Sequence, residues 1–432
     1  MTTVIIDQVE QAIKVLAHVK PPYVKTYQDF QPGKTFVQYS GQWWDEDEME
    51  MALTALVKGS WVTSGDYVDE FQKEFSKKYE VPYSHMVNSG SSANLVMVTA
   101  LKKHFKWNDG DEVIVSPVGF PTTIAPLVQN NIKPVFVDIE LETLNFDVNL
   151  IEDKITERTK AIFVSPVLGN PPDMNKLVDI CVKHKLLLIG DNCDSLGTKV
   201  NGELITKYYF SWSTSFYPAH HISTGEGGMI SCHDEDFMKT VRSISWWGRD
   251  CYCVGSCNLL ANGSCGKRFS NWLENYDGII DHKYLFTNMG YNLKPLDLQG
   301  AIGLAQLRKV DKIDELRRKY KDEIDQYLEK VPGVRTIKAL PGNDPSWFGV
   351  PVWCDDQNTK EFFVSHLEAN KIQTRNYFSG NILLHPGYKH LDDFTKYPNS
   401  NKALSNVFFL GCSPLYTEEV MKYIGEVIEQ FA

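Results

Sequence analysis

Between about Asp111 and Ser231 the chain repeats one pattern, a short unbroken apolar run followed by a helix-like stretch. The runs are Glu112–Val115, Pro134–Val137, Ala161–Val164, Leu186–Ile189 and Met229–Ser231. A strand with one wet face alternates apolar and polar residues, whereas a continuous apolar run is buried on both faces, which requires helices on both sides of the sheet. The pattern predicts an α/β fold with a mainly parallel, helix-covered sheet. Such sheets bind ligands beyond the carboxyl ends of their strands. The segments that follow the runs, Pro117–Thr123, Pro166–Pro171 and Asp191–Gly197, are where polar and glycine residues gather.

The sheet accounts for only part of 432 residues. Ile6, Val9, Ile13, Leu16 and Val19 recur at helical spacing, predicting a helical extension over residues 1–40. A large domain over 41–295 follows. From Leu307 to Leu328 apolar residues keep the three-four rhythm of an amphipathic helix, predicting a bridging helix over 296–330. After Pro332-Gly333, residues 331–432 read as a smaller α+β domain. One stretch, 246–281, is rich in Trp, Cys, Gly and Asn and has no periodicity; loops of that length are uncommon and usually functional or disordered.

Charge and composition narrow the function. The net charge of −11 argues against a nucleic-acid or anionic-membrane binder. No apolar run is long enough to span a bilayer and no secretory pattern opens the chain, which predicts a cytoplasmic protein. In that compartment nine cysteines are thiols or metal ligands before they are disulfides.

Two motifs carry chemistry. Asn88-Ser-Gly-Ser-Ser-Ala-Asn94 precedes an apolar helical segment, so Gly90 and Ser91 can offer backbone N–H groups to a phosphate, or can simply cap a helix. Ser215-Phe-Tyr-Pro-Ala-His-His-Ile-Ser-Thr-Gly-Glu-Gly-Gly228 combines hydroxyls, paired histidines and a glycine turn between two strand-like runs.

The second motif resembles the signature of the sugar-nucleotide aminotransferase family (DegT/DnrJ/EryC/StrS-type), vitamin B6 enzymes of the aspartate aminotransferase fold type I. Ser89–Ser91, Gly119-Phe120, Leu168-Gly169, Asp191 and Gly290–Asn292 agree in order, so the similarity runs from about Gly41 to the C-terminus. The family's Schiff-base lysine falls at His220, and an imidazole exchanges protons near neutrality but cannot hold pyridoxal phosphate covalently. The resemblance therefore implies noncovalent pyridoxamine 5'-phosphate with His220 as the base. It implies that Asp191 pairs with the pyridine nitrogen, that Phe120 covers one ring face, and that Gly90, Ser91 and Ser215 cradle the phosphate. Asn292 resembles a phosphate contact from the other subunit of a homodimer. Asp194 stands where the family often has Gln near the ring hydroxyl. His221 reads as structural.

Cys251, Cys253, Cys257 and Cys265 put four thiols within fifteen residues, a density that suits iron–sulfur ligation or zinc. The loop resembles that of the family's iron–sulfur subgroup, the CDP-4-keto-6-deoxyglucose 3-dehydrases, which also carry the histidine. That subgroup has a further cysteine resembling Cys193, an alternative ligand in place of Cys257, so five thiols compete for four places. Cys181, Cys232, Cys354 and Cys412 read as small buried residues.

The resemblance implies C3 dehydration of a nucleotide-linked 4-keto-6-deoxyhexose, completed by electrons that a [2Fe–2S] cluster takes from an NAD(P)H-dependent flavin or iron–sulfur reductase or ferredoxin. The product class is the 3,6-dideoxysugar nucleotides, which resemble precursors of lipopolysaccharide O-antigen. Glu226, Lys283 and Arg375 are candidate substrate contacts, and Trp347-Phe348 lie where the family closes over substrate. Two other readings remain: a cluster-free GDP-4-keto-6-deoxymannose 3-dehydratase-like enzyme, and an inactive, metal-binding regulatory member.

Overall fold

The computed structural model describes residues 2–251, 269–270 and 272–431. Its centre is a seven-stranded sheet in the order Tyr83–Val87, Gly228–Cys232, Ser211–Ser215, Leu187–Asp191, Thr159–Val164, Glu112–Val115, Lys133–Phe136. Four of the pairings are parallel. Helices on both faces bury two separate clusters, one around Phe71, Phe75 and Trp212, the other around Val96, Phe163 and Phe237. The α/β expectation holds.

One strand corrects it. Gly228–Cys232 is apolar and wholly buried, as a parallel strand would be, yet it pairs antiparallel with both of its neighbours. Burial sets the composition of a strand; the connection sets its direction. A parallel return needs a crossover of a dozen or more residues, usually a helix. The segment between Ser215 and Gly228 contains no helix and instead turns straight back.

Two strands escaped the apolar-run rule. Ser211–Ser215 reads Ser-Trp-Ser-Thr-Ser and is buried throughout. Its hydroxyls are paired inside the protein: Ser211 Oγ donates to the Ser231 carbonyl at 3.0 Å and Ser213 Oγ to Asn94 Oδ1 at 2.5 Å. A buried polar group that is hydrogen-bonded carries little penalty. Tyr83–Val87, at the sheet edge, is the other.

The long helix runs Asp297–Leu328, 32 residues, a length of about 48 Å at 1.5 Å per residue. Its apolar stripe packs into the C-terminal part, which holds an antiparallel sheet ordered Val334–Thr336, Val350–Cys354, Val407–Leu410, Thr374–Asn376. A further cluster containing Val118, Leu168, Ala219, Phe348 and Phe409 joins the two sheets' surroundings. At the N-terminus the helix spans Thr2–Ala17, and residues 18–40 are irregular. No helix among the described residues is long and apolar enough to cross a membrane.

Candidate active site

A cavity of about 670 Å³ lies at the carboxyl ends of the central strands, under Phe348, Phe378 and Phe409 of the C-terminal part. Each predicted segment reaches it: Gly119 and Phe120 after one strand, Ser165 and Val167 after the next, Asp191, Cys193 and Asp194 after the third. Asp191 ends strand Leu187–Asp191 and Ser215 ends Ser211–Ser215, so the sheet itself fixes both side chains.

Asp191 is 5% exposed. Its Oδ2 accepts from Asn94 Nδ2 at 2.8 Å and Thr123 Oγ1 at 2.7 Å. These partners hold the carboxylate while its other oxygen accepts the Cys193 N–H at 3.3 Å. Helix Gly90–His104 begins beside it. Ser89 caps that helix by accepting from Ser92 N at 3.1 Å, so the N–H groups of Gly90 and Ser91 are not taken by the cap. Gly90 is required there: a Cβ would come within 2.5 Å of Ser215 Cβ. The helix N-terminus and the Ser215 hydroxyl face the same cavity, an arrangement able to receive an anion. Phe120, 53% exposed, stands over the cavity with Phe378 edge-on at 6.3 Å.

His220 lines the same cavity with its side chain 14% exposed. Its ring packs on Phe348 at 5.0 Å between centroids, and Nδ1 is buried, 3.7 Å from Asp194 Oδ1. Burial, helped by the Arg317 guanidinium, pushes the imidazole down to about 3, so the ring is neutral at ordinary pH and a weaker base than a solvent-exposed imidazole. Burial and the charge on Asp191 push the Asp194 carboxyl up to about 7. His221 is 1% exposed, bonded through Nε2 to the Ser346 carbonyl at 3.1 Å, and burial holds it well below the usual histidine range.

Among the described residues no lysine lines the cavity. Glu226 does, and its backbone carbonyl accepts from Thr224 Oγ1 and Gln299 Nε2, so its residue fixes the glycine turn as well. Arg375 lies at the mouth over the Tyr39 ring, 4.7 Å from its centroid. Phe348 lines the wall, whereas Trp347 is buried beneath Lys321. Asn292 and Lys283 lie away from this cavity; Asn292 is exposed and bridges by backbone to Trp246.

Cys253, Cys257 and Cys265 lie outside the described residues. Cys251 is half-buried, and Cys193 lines the cavity. Burial and the neighbouring Asp191 and Asp194 push the Cys193 thiol well up, so it becomes a thiolate ligand only when a metal cation supplies opposing charge. No group of three or more metal-ligating side chains gathers among the described residues. Cys181, Cys232, Cys354 and Cys412 are buried.

Asn94 and Thr123, which hold Asp191, were inside segments the sequence marked without being given a role. Arg317 gave one signal, a charge set among Ile313, Leu316 and Tyr320 on the apolar stripe of the long helix.

Residues 44–429 match the profile of the DegT/DnrJ/EryC1/StrS aminotransferase family. The chain is 37% identical over 413 residues to the dTDP-4-dehydro-2,6-dideoxy-D-glucose 3-dehydratase of Saccharopolyspora spinosa, covering 93% of this chain and 88% of that one. It is 36% identical over 414 residues to the lipopolysaccharide biosynthesis protein RfbH of Salmonella typhimurium, covering 93% of each. Among solved structures, the Escherichia coli GDP-4-keto-6-deoxy-D-mannose-3-dehydratase with bound hydrated pyridoxal phosphate superposes with a TM-score of 0.79 at 27% identity, covering 91% of this chain and all of that one. The cavity fits such a cofactor: an anion cradle at a helix N-terminus, a buried carboxylate anchored on one oxygen, and an aromatic wall.

Proposed function

The chain belongs to the DegT/DnrJ/EryC1/StrS aminotransferase family, and from that premise we propose that it removes the C3 hydroxyl of a nucleotide-linked 4-keto-6-deoxyhexose, using noncovalent pyridoxamine 5'-phosphate. One observation carries the reading: His220, neutral and wedged against Phe348, lines the cofactor cavity, and no described lysine does. A transaminase of this fold needs that lysine amine.

When bound, the cofactor supplies an amine for the sugar ketone and an electron sink for the carbanion that no side chain can stabilise. Asp191, oriented by Asn94 and Thr123, would face its pyridine nitrogen. The N–H groups of Gly90 and Ser91 and the Ser215 hydroxyl hold its phosphate. Phe120 covers the ring. The neutral His220 imidazole takes a proton, a step of the kind that contributes about 10²–10⁴-fold. Asp194, neutral below about pH 7, lies beside His220 without adding a second charge. Phe348 and Phe378 exclude water, and Arg375 and Glu226 at the mouth receive the polar nucleotide sugar. Lys283 is an outlying contact for the nucleotide phosphates.

The finer reading adds the cysteine loop. Cys251, Cys253, Cys257 and Cys265, with Cys193 as the alternative, would hold a [2Fe–2S] cluster that passes single electrons from an NAD(P)H-dependent reductase or ferredoxin, so that loss of the hydroxyl ends in a 3,6-dideoxy-4-keto sugar nucleotide. Four thiols within fifteen residues support it. The active unit would be a homodimer in which Asn292 reaches the partner's cofactor phosphate; Val62 and Leu296, adjacent across the Thr63–Leu296 bridge, are 80% and 50% exposed and support such a contact. The fold shared with the Escherichia coli enzyme favours a second reading, a cluster-free dehydratase.

Anaerobic purification with iron and sulfide analysis separates the two. About two irons and two sulfides per chain, with reductase-dependent turnover of CDP-4-keto-6-deoxy-D-glucose, supports the cluster. A metal-free protein that turns over a 4-keto-6-deoxyhexose nucleotide without a reductase supports the second reading. A protein that binds pyridoxamine phosphate and turns over no such sugar refutes both.

A further inference from the structure

Arg317 is fully buried on the helix Asp297–Leu328, outside the cavity lining. Among the described residues its guanidinium donates to four backbone carbonyls, which come in two pairs, and it also meets the Cys412 thiol. Nη2 donates to Ala219 O at 2.9 Å and His220 O at 3.3 Å; Nη1 donates to Phe348 O at 3.0 Å and Trp347 O at 3.4 Å. One pair belongs to the turn that carries His220, the other to the segment that lays the Phe348 ring against the His220 ring. A planar guanidinium offers donors in a fixed fork, so two carbonyl pairs on its two nitrogens are held at a set separation.

The second segment needs such a hold. Trp347 has φ of +35°, a left-handed backbone unfavourable for a bulky residue, which persists only where surrounding contacts over-determine it. Phe348 N donates to Leu168 O at 2.9 Å, and Leu168 is itself left-handed at φ +55°. Ser40 Oγ adds a second donor to Ala219 O at 3.0 Å. The bonds converge on one place: the backbone under His220 and the backbone under Phe348 are tied to each other through Arg317 on the long helix and, one residue on, by the bond between His221 Nε2 and the Ser346 carbonyl at 3.1 Å.

We propose that Arg317 is a positioning residue for His220, its fork fixing the imidazole between Phe348 and the cavity by holding both backbones at once. It touches neither cofactor nor substrate, so its loss should lower turnover while leaving binding in place. A reacting group displaced by about 1 Å costs on the order of 10²-fold.

The proposal rests on the reading that His220 carries the chemistry, and two measurements keep the two apart. In the cofactor-loaded enzyme, Arg317→Met is expected to lower kcat by about 10²-fold, with KM and the dissociation constant for pyridoxamine phosphate within about threefold of wild type. Arg317→Lys keeps the buried charge but not the fork, and is expected to lose at least tenfold in kcat with the same constancy of KM. It also serves if the Met variant does not fold. The second measurement needs no turnover: the rate at which diethyl pyrocarbonate modifies His220, read by mass spectrometry against the exposed His390, should rise several-fold in Arg317→Lys. If wild type turns over no sugar but His220 reactivity still rises in the variant, the functional reading fails and the positioning role stands. Wild-type kcat in Arg317→Lys, a loss confined to KM, or unchanged His220 reactivity overturns the proposal.

Discussion

Asp194→Asn isolates what burial does to a carboxyl in the cavity. The folded chain keeps this group protonated up to about pH 7, because burial disfavours its anion and the Asp191 charge adds to the effect, whereas its ordinary value is 3.8. Between those values the folded state binds more protons than the unfolded state, so the group's contribution to stability falls as pH rises through that window and is constant above it. This is opposite in sign to an ion-paired aspartate. Asparagine cannot ionise, and its carbonyl can still accept the Leu168 N–H that Asp194 Oδ2 accepts at 3.2 Å. About two units of the window lie above pH 5. At 1.36 kcal/mol per unit, the variant should gain about 2–3 kcal/mol on wild type between pH 5 and pH 8. Urea unfolding of both cofactor-free proteins across that range, followed by tryptophan fluorescence, gives the difference, because titrating groups far from Asp194 cancel between the two proteins. A gap between the proteins that stays constant with pH would refute a raised Asp194, and with it the argument that a neutral carboxyl sits beside His220.

Three further outcomes follow from the geometry. His220→Lys restores an amine at the family's lysine position, so borohydride reduction should fix pyridoxal phosphate covalently to the variant and not to wild type, as mass spectrometry of the intact chain would show. Gly90→Ala places a Cβ 2.5 Å from Ser215 Cβ; the overpacking should cost about 1–3 kcal/mol and weaken retention of the cofactor phosphate, both measurable by melting with and without pyridoxamine phosphate. Trp212→Ala removes a fully buried ring packed 5.8 Å from Phe75, and should cost about 3–5 kcal/mol in a denaturant titration.

The cavity was legible where chemistry and topology coincide. Asp191 and the Gly119-Phe120 segment follow apolar runs, and the rule that ligands bind past strand ends singles them out from sequence alone. Ser211–Ser215 was not legible, because a polar strand is buried only if partners such as Asn94 and Ser231 arrive from elsewhere in the chain. The direction of Gly228–Cys232 was hidden for a different reason: apolar composition reports burial and is silent about which way the chain runs. Asn94 and Thr123 were visible as residues and invisible as partners, since nothing local announces that both meet one carboxylate oxygen. Cys253, Cys257 and Cys265 lie outside the described residues, so the cysteine loop rests on its spacing.

Sequence by itself determined the α/β class, the long helix, and the presence of an imidazole where this family places an amine. The first two follow from side-chain identity and period, which are local, and the third from the resemblance of the Ser215–Gly228 motif to the family's signature. Tertiary structure decided the state of the groups: a histidine pushed down to about 3, an aspartate pushed up to about 7, and a buried arginine bonded to the carbonyls of two distant segments. Each of these depends on desolvation and on neighbours brought from distant positions, as Arg317 is brought to His220, and no reading of one segment contains them.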